Sequence, residues 1–259
     1  MEWVYQLSDS RAVGCANKCL YKVGAIAAFM AAVLFRRNMD AEYLLLRGVG
    51  IIHTGPTIAP STVIDWFALL NQNKLLGLTL LNIFDLVNYA LLGLIFLATF
   101  AALQQTSKSL MIIVTALGFL GIMNYLGSNQ ALSMLSLSNQ YASATTAAHR
   151  STLLAAGHSS LALHENVSYQ GNGMYISFLL VSVAGLIISF VMLKSDSFSR
   201  ISAYMGITAN LLGLGYYLML VFAPALVYLP LSLSALFLLA WYLMISERLW
   251  VLGSRRVGA

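Results

Sequence analysis

The chain has 259 residues, of which 59% are hydrophobic and only 9% charged. Soluble domains carry about 25% charged residues, so this composition excludes an ordinary soluble protein and points to lipid. The net charge of +5 does not indicate a nucleic-acid binder, because the basic residues are scattered as flanks of apolar runs and do not cluster on a polar face.

Residues 1–18 are polar and amphipathic, with Trp3 and Tyr5 suited to headgroup level and Arg11 and Lys18 to anionic lipid. A first span is predicted at 19–35, followed at once by Arg36 and Arg37 and without a small-residue cleavage pattern, so it reads as retained and not as a removed signal. Cys15 and Cys19 are the only cysteines; on the cytoplasmic side a structural disulfide is not expected, and two thiols do not complete a zinc site.

An outer segment, 36–74, comes next. Asp40 is placed to cap a short helix through Arg47, after which Gly48, Gly50, Gly55, Pro56 and Pro60 break regular structure. A span hidden at 43–58 would have to carry Arg47, His53 and Pro56. Ser61 or Thr62 then caps a helix through Leu70, with Asp65 at its positive end, and its composition suits a helix lying on the outer surface.

The longest apolar run, 75–103, is the predicted second span, and it contains Asn82, Asp85 and Asn88. As one continuous helix it would place Asp85 roughly 15 Å from the Lys74 end, near the midplane, where an ionised carboxylate is costly. Asn82, Asn88 and Tyr89 stand on the same helix face. Either Asp85 is a hydrogen-bonded packing residue, or this face belongs to a ligand pocket or proton path.

The third span is predicted at 110–126, with Asn124 near its outer end at a depth comparable to Asn82. In the outer segment 127–173, Met134, Leu137, Tyr141, Ala144 and Ala148 recur at helical spacing. Thr145 or Thr146 then caps a second helix to about Leu163, with Gly157 as its weak point. Spans at 174–193, 201–222 and 230–250 complete the set, the last opening on Pro230. Ser202, Gly206, Asn210 and Gly213 make a small-residue stripe on the fifth, as do Ser182, Gly185 and Ser189 on the fourth, and such stripes let helices approach closely. Asn210 is the candidate partner of Asp85.

The expected fold is therefore all-α: a polytopic transmembrane helix bundle of six spans, one membrane domain over 1–259, with an outer helical hairpin between spans three and four. Arg11, Lys18, Lys22, Lys108, Lys194, Arg200, Arg248, Arg255 and Arg256 lie on the side of the termini. Arg36, Arg37, Arg47, Lys74 and Arg150 lie opposite, so both termini are expected in the cytoplasm and the protein in the cell membrane.

The stretches LLGLTLLNIFDLVNYALLGLIFLA (75–98), SNQYASATTAAHRSTLLAAG (138–157) and ANLLGLGYYLMLVFAPAL (209–226) resemble a bacterial and archaeal family of six-span integral membrane proteins catalogued only as a domain of unknown function. The resemblance, over about Tyr21 to Leu252, implies the six-span fold and assigns no residue a role.

The candidate ligand-binding or proton site is Asp85 with Asn82, Asn88, Asn124 and Asn210; no catalytic residue, metal or cofactor is assigned. His53, His149, His158 and His164 all fall in the outer segments, so a heme between spans is not expected. His158 and His164 are spaced poorly for one helix face, although Glu165 could add an oxygen ligand if the loops converge. Serines and threonines over 133–160, beside His149 and His158, leave a membrane hydrolase open without any nucleophile motif. Three readings follow: a lipid- or hydrophobic-ligand-binding or accessory membrane subunit, which fits best; proton or small-solute translocation past Asp85; and a hydrolase. Membrane lipids, and partner subunits under the first reading, are the expected partners; nucleic acid is not.

Overall fold

The computed structural model describes residues 17–34, 60–165 and 173–254, and every regular element among them is helical. The helices are α1 (Asn17–Leu34), α2 (Val63–Gln72), α3 (Lys74–Leu80), α4 (Ile83–Leu103), α5 (Lys108–Ser128), α6 (Ala131–Ser143), α7 (Ala147–Glu165), α8 (Gly173–Leu193), α9 (Arg200–Phe222) and α10 (Tyr228–Ser254), with a 3-10 turn at Pro224–Leu226. Six are long and apolar enough to cross a membrane; the third of these candidate spans runs from α5 across a two-residue break at 129–130 into α6. The expectations for Asp40–Arg47, the loop to Ala59, Cys15, His53 and the return at Gly171 lie outside the described residues.

Two compact units emerge. The first comprises, of the described residues, 17–33, 89–123 and 177–254, and in it α1 meets α4, α4 meets α5, α5 meets α8, α8 meets α9, α9 meets α10 and α10 returns to α1. Its chemistry is that of helices in lipid, where small residues mediate contact because hydrocarbon is as apolar as leucine. Helix α1 buries Ala25, Ala27, Ala28, Ala31 and Ala32, and turns Ile26, Phe29, Met30 and Val33 outward. A β-carbon on Gly24 would overlap the Ala98 methyl of α4 and stand 3.3 Å from Leu249 of α10. Gly118 of α5 sits against the Phe96 ring of α4. Both stripes foreseen on α8 and α9 are buried, and they face each other and α10: Gly185 lies under the Asn210 amide, and Gly206 under Ser189 and the Trp241 indole.

Hydroxyls stitch this ring. Tyr21 Oη donates to the Ala101 carbonyl (3.2 Å), Ser177 Oγ to Gly121 (2.6 Å), Ser234 Oγ to Ala209 (2.8 Å) and Ser246 Oγ to Ala25 (2.8 Å). Pro230 is the third residue of α10, a turn where no proline N–H is needed, and α9 stops just before Pro224, as its missing N–H requires.

The second unit comprises, of the described residues, 34, 60–88, 124–165 and 173–176. Val63, Trp66, Phe67 and Leu70 of α2, Leu81 just after α3, Ala131 and Met134 of α6, and Leu161 of α7 form its core. Helix α2 starts with a reciprocal cap: the Asp65 N–H donates to Thr62 Oγ1 and the Thr62 N–H to the Asp65 carboxylate, both at 3.2 Å. Its apolar face is covered by α6 and α7. The expected hairpin is present as α6 and α7, and the His149 N–H donates to Thr146 Oγ1 (3.3 Å), so Thr146 caps the second arm.

Candidate functional site

The apolar run that suggested a single span from Leu75 is broken. Leu81 is drawn fully into the core of the second unit, and Asn82 turns the chain with φ at 60°, a left-handed conformation that asparagine tolerates better than most residues. The Asn82 N–H closes back on Thr79 (3.1 Å), and its carbonyl accepts from Asn129 Nδ2 (3.4 Å). The second span therefore begins at Ile83 and not at Leu75.

This relocates Asp85. It is in the first turn of α4, with its N–H bonded to the Asn82 carbonyl at 3.2 Å, so it stands at the start of the span and not near its middle. Helix N-termini carry partial positive charge from their unpaired N–H groups, and a carboxylate there is stabilised by typically about 0.3–1 kcal/mol.

Asn88 follows Asp85 by one turn on the same face. It is only 7% exposed, and its Oδ1 has no hydrogen-bond partner among the described residues. Asn82, Asp85, Asn88 and Asn124 all belong to the second unit. Asn82 and Asn129 are directly joined, while Asn124 is half-buried in α5, and its carbonyl lies 2.8 Å from where a β-carbon on Gly173 of α8 would stand. Asn210 belongs to the first unit, and its Nδ2 donates to the Gly206 carbonyl of its own helix at 2.7 Å. It serves α8–α9 packing.

The alternative chemistries find less. His149 and His158 are exposed on α7, and neither ring is hydrogen-bonded to a hydroxyl among the described residues; His164 and Glu165 have no described side chains. No group of three His, Cys, Asp or Glu is positioned to hold a metal among the described residues.

A feature that sequence reasoning missed lies in the first unit. A cleft of about 280 Å³ opens between the start of α9 and the end of α10, with Phe198, Met244 and Val251 as apolar wall and Glu247 and Arg248 as charged residues. Arg248 Nε donates to the Ser197 carbonyl and Nη2 to the Asp196 carbonyl (3.3 Å), which fixes its guanidinium against the link between α8 and α9. The sequence signal was the pair Glu247–Arg248 beside Trp250, of which only Arg248 entered the reading, as one of the basic residues on the side of the termini. No protein-family model, curated protein or solved structure matches this chain.

Proposed function

We propose that this chain is a non-catalytic multi-span membrane protein that acts by binding, holding a lipid or other hydrophobic ligand, or a partner subunit, in the cell membrane with both its termini in the cytoplasm. The observation that carries the reading is how the polar groups of the first unit are used. Tyr21, Ser177, Ser234 and Ser246 each bond the backbone of another helix, so these hydroxyls fasten the bundle and do not line a path through it. Membership of the six-span family rests on the three stretches quoted above, and the orientation on the distribution of Lys and Arg.

Translocation stands second, supported by the unpaired acceptor of Asn88 one turn from Asp85. The test is extraction into native lipid discs with mass spectrometry of whatever is retained, paired with proton and solute flux in proteoliposomes. Binding predicts a retained amphiphile or subunit and flux equal to that of empty liposomes. Flux abolished by Asp85→Asn would overturn it in favour of translocation.

A further inference from the structure

The cleft beside Arg248 has the chemistry of a headgroup site. Arg248 presents five N–H donors in a rigid fork. Two of its nitrogens are spent on the Ser197 and Asp196 carbonyls, and no carboxylate pairs with it among the described residues. A half-buried guanidinium held by two neutral carbonyls still lacks a counter-anion, and its Nη1 hydrogens are uncommitted. The N-terminal amides of α9 do not supply the recognition, because Ser199 Oγ already caps Ser202 N–H (3.1 Å) and Ser202 Oγ is bonded to the Ser199 carbonyl (2.7 Å).

The same cleft carries a charge of opposite sign. Glu247 lines it, is exposed, and makes no ion pair among the described residues. A cleft lined by one fixed cation and one carboxylate is complementary to a group carrying both charges. Its depth is marked by Trp250, 51% exposed on the same helix, since tryptophan favours headgroup level. Met244 and Val251 give the cleft an apolar wall, and Val251 and Leu243 are exposed on the same helix. At about 280 Å³ it is smaller than the usual pocket for a whole drug-sized ligand, so it suits a headgroup whose chains remain in the bilayer.

We infer that this cleft binds a phospholipid bearing a primary ammonium beside its phosphate, with the phosphate on Arg248 and the ammonium on Glu247. The inference rests on the binding reading above and names the ligand of one site. A purely anionic headgroup would leave Glu247 facing its phosphate, and a quaternary ammonium could not donate a hydrogen bond to the carboxylate.

The test is lipid retention by the full chain in discs of matched chain composition containing phosphatidylethanolamine, phosphatidylcholine or phosphatidylglycerol, read by native mass spectrometry, with free inorganic phosphate as a fourth arm. The wild type should retain the ethanolamine lipid in preference to the other two and should ignore free phosphate. Glu247→Gln touches no hydrogen bond of the fold and should erase the preference for ethanolamine over choline. Arg248→Gln should lower retention of all three lipids about tenfold, the loss of one charge-assisted contact. Unchanged selectivity in Glu247→Gln, a preference of the wild type for phosphatidylglycerol, or competition by free phosphate would each overturn the inference. If lipids are retained but neither substitution matters, this site fails while the binding reading survives. If nothing is retained and flux depends on Asp85, both fail.

Discussion

Gly157 of α7 lies so close under Phe67 of α2 that a β-carbon there would stand 2.9 Å from the ring Cζ, and 2.5 Å from Val63 Cγ1. Read in sequence, this glycine only weakens a helix. In the structure it is where two helices of the second unit cross, and the Phe67 ring continues to Tyr141 of α6 at 5.3 Å between centroids. Gly157→Val should therefore destabilise the second unit by about 1–3 kcal/mol through overpacking, despite removing a flexible glycine. Hydrogen exchange would check it: amides of α2 and α7 should exchange faster while those of α9 and α10 hold their rates. Unchanged exchange in α2 would refute the contact.

The break at Asn82 makes a second prediction. A β-branched residue at φ near 60° is strained, at a cost on the order of 1–3 kcal/mol, whereas glycine adopts it freely. Asn82→Gly should leave stability nearly unchanged, and Asn82→Val should lower it. If both variants behaved like the wild type in denaturant unfolding, the chain would have to run straight from α3 into α4.

That break explains why the site was only partly legible. Hydropathy is continuous from Leu75 to Leu103, so nothing local distinguishes a helix that continues from one that turns. What decides is the burial of Leu81 beside Phe67 and Met134, residues distant in the chain that a periodicity reading does not bring together. By contrast, the stripes Ser182–Gly185–Ser189 and Ser202–Gly206–Asn210–Gly213 were legible, because in lipid small residues at helical spacing have few roles other than close contact. The cap at Thr62 and the hairpin arms were legible for the same reason: their signals are local. The Arg248 cleft was not, since it needs the link at 196–199 folded back onto α10.

The ring of the first unit should depend on steric fit more than on its hydrogen bonds. Removing the Ser246 hydroxyl with Ser246→Ala loses one bond to Ala25, and such bonds within membranes average about 0.6 kcal/mol. Gly24→Leu instead forces a side chain into Ala98 and Leu249, and should cost more, about 1–3 kcal/mol or above. Unfolding in mixed micelles with increasing SDS would rank them. If Ser246→Ala were the more damaging, polar bonds and not close packing would hold α1 to the bundle.

The proposed orientation puts the α6–α7 hairpin outside the membrane and both termini within. The most direct measurement is labelling of intact cells with a membrane-impermeant maleimide, using single cysteines at Gln140, exposed on α6, and at Tyr5, after Cys15 and Cys19 are replaced by serine. The account predicts that Gln140→Cys is labelled at once and Tyr5→Cys only after the membrane is permeabilised. Labelling of Tyr5→Cys on intact cells, with Gln140→Cys protected, would contradict it.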